Sequence, residues 1–211
     1  MAIVFENENS HQTRVAVWEI TESEEALKQM LPPLKKNETD FLQSISFAPR
    51  RKEWLASRVL IYRLTGLYPE TGYKDNGQPF VTNCRENISI SHTRKFAAIV
   101  LSKSSMPGID IEYPSDRIRK VSKRFLNPLE KNFIKNPFTE VQLGLIWCCK
   151  EAIFKTAGIP GLVFKDHIII SPFTPVHPQG SINASLSVSG SNKTIYLNYI
   201  IDKNFYLVWT K

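Results

Sequence analysis

The sequence predicts an α+β fold of two similar halves, each a long helix packed on a small antiparallel sheet. Helical apolar spacing runs over Arg50–Leu64 and again through a stretch ending at Thr156, and the two patterns stop at Gly66 and Gly158. Short strand patterns separated by turn residues follow each helix, with no strand–helix alternation that would indicate a parallel sheet. A gapless alignment of Gly66 on Gly158 places Arg58 on Lys150 and Arg63 on Lys155, although taken alone it barely exceeds chance. The polar connection Lys103–Pro107 divides the chain into residues 1–105 and 106–211.

In chain order, Arg14–Ile20 alternates as a strand, and the acidic helix Glu22–Leu31 after it is stopped by Pro32-Pro33. Asn37 or Thr39 caps a helix running to about Phe47. Arg50–Leu64 follows, with Trp54, Val59, Ile61, Tyr62 and Leu64 among its apolar positions. Asp75-Asn76-Gly77 is a turn leading into a strand at Gln78–Val81. Asn87–Ser91 and Phe96–Ser102 read as paired strands joined by a loop, His92–Lys95. Beyond Gly108–Glu112, Pro114-Ser115-Asp116 opens a helix at Arg117–Leu126, and Asn127-Pro128 breaks it. A short helix at Leu129–Ile134 precedes the long one. Strands at Lys165–Ile170, Ser181–Val188, Thr194–Ile201 and Phe205–Thr210 are spaced as an antiparallel meander closing on that helix.

With 211 residues, 42% hydrophobic and 22% charged, the composition is that of an ordinary globular protein. A net charge of +7 and a pI near 9.3 call for an acidic or phosphorylated partner. Nucleic acid, anionic membrane, a nucleotide and an acidic protein all satisfy that requirement. The three cysteines, Cys84, Cys148 and Cys149, form no CxxC pair and read as core fillers of a reducing compartment. The first residues, MAIVFENENS, lack the basic start of a signal peptide, and no apolar run reaches membrane-spanning length. A cytoplasmic protein without a membrane role is the expectation.

Two stretches carry chemistry. In GIDIE, Gly108–Glu112, an extended backbone puts Asp110 and Glu112 on one face, roughly 7 Å apart, and Ile109 and Ile111 on the other. Paired carboxylates repel unless a cation lies between them, and oxygen ligands of this kind suit Mg²⁺. An isolated DxE is more commonly the solvated face of a strand. In WCCKEAIFK, Trp147–Lys155, the charged Lys150, Glu151 and Lys155 interrupt a buried helical pattern, and Glu151 and Lys155 stand one turn apart. By itself that pair is an ordinary surface ion pair.

Together, in this order and at this spacing, GIDIE and W-x-x-K-E-A-x-x-K resemble the double signature of the 4′-phosphopantetheinyl transferase superfamily, in its monomeric, surfactin-synthetase type. The resemblance runs through most of the chain and is strongest from Asp75 to Gly158. It implies two α+β halves about a pseudo-two-fold axis. It also implies transfer of phosphopantetheine from coenzyme A to a serine of an acyl, peptidyl or aryl carrier protein, with adenosine 3′,5′-bisphosphate released. On that reading Asp110, Glu112 and Glu151 hold Mg²⁺, Glu151 is the general base and Lys155 offsets charge on the departing phosphate. Lys150 is either a further coenzyme A contact or a structural cation paired with a neighbouring acid. Ser91-His92-Thr93 matches the family's loop for the 3′-phosphate, and Arg50 and Arg51 fall where nucleotide contacts are expected. Asn76-Gly77-Gln78-Pro79 matches the family's G-K-P segment with Gln78 in place of Lys, which weakens one phosphate contact unless another cation such as Lys74 replaces it.

The partner expected from the resemblance is an acidic carrier protein. RIRKVSKRFL, residues 117–126, carries five cations and no acid, with Arg117, Lys120 and Arg124 along one helical face as its docking side. The rival class is a basic nucleic-acid-binding protein without catalysis. Its aromatics would interleave with a basic stripe; here they are scattered. The reading is therefore a monomeric enzyme with no nucleic-acid partner.

Overall fold

The computed structural model describes residues 3–8, 13–73 and 79–211. It is α+β with antiparallel sheets, and the chain divides into two compact units, Met1–Ser105 and Met106–Lys211. Lys74, Asp75-Asn76-Gly77 and Gln78 lie outside the described residues.

In the first unit, β1 (Ile3–Glu8), β2 (Thr13–Glu19), β5 (Asn87–Thr93) and β6 (Phe96–Ser102) make a sheet of order β1-β2-β6-β5. Between β2 and β5 come the helices α1 (Glu24–Gln29), α2 (Lys36–Ser44) and α3 (Ala48–Thr65), then the strand pair β3 (Thr71–Tyr73) and β4 (Pro79–Val81). Helix α3 starts with Pro49 in its first turn and ends at Gly66, whose left-handed φ of 68° lets its N–H reach the Tyr62 carbonyl. It buries Leu55, Val59 and Leu60 in one core with Trp18, Ala97 and Ile99 of the sheet.

The second unit runs β7 (Ile109–Glu112), α4 (Asp116–Phe125), α5 (Pro128–Lys131), α6 (Thr139–Ala157), α7 (Phe164–His167), β8 (Ile168–Ile170), β9 (Gln179–Val188), β10 (Ser191–Ile201) and β11 (Tyr206–Thr210). Strands β8 to β11 form a meander, and the first strand joins the last to give the order β7-β11-β10-β9-β8. Helix α6 packs Leu145, Cys148, Ala152 and Ile153 against Leu197, Tyr206 and Val208.

Four segments depart from the sequence reading. Residues expected to begin a strand at Lys165 instead close a helical turn, because the Val163 carbonyl accepts from the His167 backbone and the His167 ring accepts from the Val163 N–H. Strand β5 runs on past Ser91 through Thr93, so His92 and Thr93, expected in the loop, are paired strand residues. Strands β1 and β3 had no periodic signal.

Each unit fastens its long helix with the same device. The Glu38 carboxylate of α2 accepts from the Lys35 N–H at 3.0 Å and faces Arg58 of α3 at 3.7 Å. The Glu130 carboxylate of α5 accepts from the Asn127 N–H at 2.7 Å and meets Lys150 of α6 at 2.9 Å. Arg58 and Lys150 are the residues that the Gly66–Gly158 alignment superposes. Lys150 is fully enclosed: its ammonium also donates to the carbonyls of Phe125, Phe164 and Ile168, and Glu130 takes the Ile170 N–H. Burial pulls the Lys150 ammonium below its ordinary range, and Glu130 opposes that shift. Breaking a buried pair strands the remaining charge. Lys150→Met is therefore expected to cost about 3–5 kcal/mol of folding stability in urea titrations. A loss below about 1 kcal/mol would place the pair in a solvated setting.

Candidate active site

Strand β7 reaches helix α6 through a backbone contact that only glycine permits. A Cβ on Gly108 would stand 1.9 Å from the Ala152 carbonyl oxygen and 2.3 Å from Thr156 Oγ1. The strand end is further tied by Thr210, whose Oγ1 accepts from the Gly108 N–H and whose N–H donates to the Gly108 carbonyl, each at 2.9 Å. In the β7–β11 register Asp110 lies opposite Val208 and Glu112 opposite Tyr206, both core residues packed with α6. Asp110 and Glu112 thus occupy the helix-covered face of β7, and Asp110 is only 6% exposed. A solvated polar edge does not describe this strand.

On α6, Lys155 donates to Asp110 Oδ1 at 2.9 Å and to the Ile109 carbonyl at 2.8 Å. Glu151 sits one turn earlier. Burial, then the charge of Asp110, push its carboxyl up to about 7, with Lys155 opposing and Glu112 adding to the rise. Glu112 is raised by burial and then by Asp110, while Arg117 and Lys155 pull it back. The three carboxylates therefore share one poorly solvated region. Trp147 and Phe154 flank Glu151 by a turn on either side along α6. Phe164 bridges them, with ring centroids 5.9 Å from Trp147 and 5.6 Å from Phe154.

Among the described residues no three His, Cys, Asp or Glu side chains are gathered as a ready-made metal site. The donor chemistry nevertheless suits a hard divalent ion: all ligands are carboxylate oxygens, and their mutual repulsion is only partly offset by Lys155. Lys150 takes no part in this group, being enclosed with Glu130 on another side of α6.

In the first unit, alternation along β5 separates the residues of the Ser-His-Thr triplet. His92 shares the α3-facing side with Ile88 and Ile90, whereas Ser91 and Thr93 point to the opposite side and are buried there. His92 meets Arg50 and a residue that the motifs did not single out, Glu53. Its Nδ1 lies 3.2 Å from Glu53 Oε2, and Arg50 Nη1 lies 3.2 Å from that same oxygen. Burial works against ionisation of Glu53, but His92 and then Arg50 outweigh it and hold the carboxyl low. The signal that could have found Glu53 is its position three residues after Arg50, at the start of a helix beside a proposed anion-binding histidine. Arg51 points elsewhere: it donates to Glu24 at 2.8 Å and to the Ile45 and Ser46 carbonyls, and lines a cavity of about 500 Å³ with Lys28, Pro32, Leu34 and Leu42. Pro79 opens β4.

Comparison with known proteins places this geometry in a class. Residues 106–200 match the family model of the 4′-phosphopantetheinyl transferase superfamily. The match lies within the second unit and covers less than half of the chain, so it is this stretch that is similar to the superfamily. Among curated proteins, the 4′-phosphopantetheinyl transferases AcpT of Salmonella typhimurium and of Salmonella typhi are each 34% identical over 115 residues. The aligned stretch covers 52% of this chain and 60% of each relative.

The Gly108 contact gives a direct test of what holds β7 on α6. Gly108→Ala is expected to lower stability by about 3 kcal/mol, since the clash is with backbone. Gly66→Ala, where nothing lies within 4 Å and only the positive φ is at issue, is expected to cost about 1 kcal/mol. Thermal melts that rank the two variants the other way would contradict the contact.

Proposed function

We propose that the chain is a 4′-phosphopantetheinyl transferase that moves phosphopantetheine from coenzyme A to a serine hydroxyl of an apo carrier protein. The observation that carries this reading is the acid group of Asp110, Glu112 and Glu151 with Lys155, inside the unit that matches the superfamily. In the reaction the serine oxygen bonds to the pantetheine-bearing phosphorus, the anhydride P–O bond breaks, and adenosine 3′,5′-bisphosphate leaves. Asp110, Glu112 and Glu151 are the residues that would hold Mg²⁺, which when bound neutralises charge across the diphosphate. Beside a bound cation Glu151 would be held as the carboxylate, able to accept the serine proton directly or through a water, and that is the role given to it. Lys155, a point cation already on Asp110, is placed to meet negative charge growing on the leaving group. Arg50 and His92 are assigned to the 3′-phosphate of coenzyme A, which puts nucleotide contacts in residues 1–105 and the cation and catalytic helix in residues 106–211.

The finer reading is a cytoplasmic monomer of the surfactin-synthetase type, with two halves about a pseudo-two-fold axis. The two-half part is supported by a pairing each unit repeats, in which the strand ahead of the helices lies beside the unit's last strand (β2 with β6, β7 with β11), and by the Glu–cation fastening of the long helix. Among the described residues no helix is long and apolar enough to cross a membrane. The proposed partner is an acidic carrier protein. On α4, Ile118 and Phe125 are buried while Arg117, Lys120 and Arg124 are exposed, and the Arg117 charge already acts on Glu112.

Incubation with coenzyme A, Mg²⁺ and a panel of apo carrier proteins, read by intact mass, tests the function. A phosphopantetheine mass increase on at least one carrier is expected, and Asp110→Ala and Glu151→Ala are each expected to abolish it while staying folded. Near-normal turnover by either variant would remove these carboxylates from the reaction. Reversing charge on α4 with Lys120→Glu and Arg124→Glu is expected to raise the KM for carrier several-fold and flatten its salt dependence, because such contacts act over about 10 Å at 0.1 M salt. Coenzyme A affinity should hardly change. An unchanged carrier KM would place docking on another surface.

A further inference from the structure

The cluster of Arg50, Glu53 and His92 contains one more acid than an anion site is expected to tolerate. Glu53 is not a surface partner of Arg50: it is 7% exposed, and it also meets a histidine from a strand remote in sequence. A single carboxylate oxygen, Oε2, receives both Arg50 Nη1 and His92 Nδ1. Arg50 Nη1 lies 2.7 Å from His92 Nε2 and 3.0 Å from Nδ1, so with Nδ1–H donating to Glu53, Nε2 accepts from the guanidinium. The Arg50 side chain is 54% exposed, so this end of the cluster is open to solvent while the carboxylate end is closed. An acid that takes one donor from each of two side chains holds both in one orientation and prevents the histidine from rotating, with the half-exposed guanidinium left toward solvent.

We propose that Glu53 is the positioning residue of the nucleotide-phosphate site: its carboxylate fixes the His92 ring through Nδ1 and holds the Arg50 guanidinium beside that ring, so that the exposed side of the guanidinium is offered to a phosphate monoester in one orientation. The proposal rests on the assignment of His92 and Arg50 to the 3′-phosphate of coenzyme A. It adds that selectivity for that phosphate depends on a residue that never touches it. Ser91 and Thr93, on the other face of β5, are not part of this presentation.

The test compares binding of coenzyme A and dephospho-coenzyme A, which lacks the 3′-phosphate, by calorimetry on the full chain. Wild-type protein is expected to prefer coenzyme A, and His92→Ala to lose that preference. Glu53→Gln keeps the size of the side chain and removes its charge. It is expected to weaken coenzyme A binding about tenfold, the loss of a charge-assisted contact, and to leave dephospho-coenzyme A unchanged. Combined with His92→Ala it should add less than the product of the two single losses, because both side chains hold the same guanidinium. If Glu53→Gln does not fold, Glu53→Asp, which keeps the charge but shortens the reach, carries the same test with the same expected direction. Equal weakening of both ligands, no weakening of coenzyme A, or losses that multiply with those of His92→Ala would each overturn the positioning role. Wild-type protein that binds both ligands alike would overturn the assignment of the site itself, and the proposal with it.

Discussion

The seating of β7 directly on the backbone of α6 is the constraint on which the candidate site depends. With a Cβ at position 108 the strand could not come this close, and the Asp110–Lys155 contact at 2.9 Å would open. The close approach also excludes water from one side of the carboxylates. That exclusion raises Glu112 and Glu151, with the charge of Asp110 adding to it. Unfavourable electrostatics of this sort survives only where the surrounding packing fixes it, and such sites are commonly functional.

The packing that fixes it is the enclosed Lys150–Glu130 pair. One ammonium binds α6 to the ends of α4 and α7, to the start of β8 and to α5. A single charged residue thereby sets the position of the helix that carries Glu151 and Lys155. Burying both charges costs solvation, and the hydrogen bonds to three carbonyls offset that cost. In a row of charged motif residues, Lys150 therefore supports the site from behind while Glu151 and Lys155, on another face of the helix, form it.

Much of this was legible in the sequence where the information is local. The two long helices, their glycine stops and the meander follow from short-range spacing, whereas the pairing of GIDIE with the KExxxK helix came from the family resemblance of the two motifs. What depends on which face meets which neighbour was not legible. Alternation put Asp110 and Glu112 on one side of a strand, but only the β7–β11 register shows that this side is covered by α6. The same alternation, once β5 extends through Thr93, turns the two hydroxyls of the Ser-His-Thr triplet away from His92. Arg50 and Arg51 look equivalent as neighbours, yet a helical step of about 100° sends one to His92 and the other to Glu24. Glu53 carried no motif, and only its tertiary partners mark it.

Asp110, Glu112 and Glu151 are proposed to hold together a divalent cation that coenzyme A shares. The most direct measurement is calorimetric binding of coenzyme A with and without Mg²⁺, in wild-type protein and in Asp110→Asn and Glu151→Gln. Wild-type protein is expected to show strong positive coupling between the two ligands, about tenfold or more in affinity, and by reciprocity the same factor for the metal. Both variants are expected to bind coenzyme A with the coupling lost. Coupling of equal size in wild type and in both variants would contradict the account, because the cation would then be held by other residues.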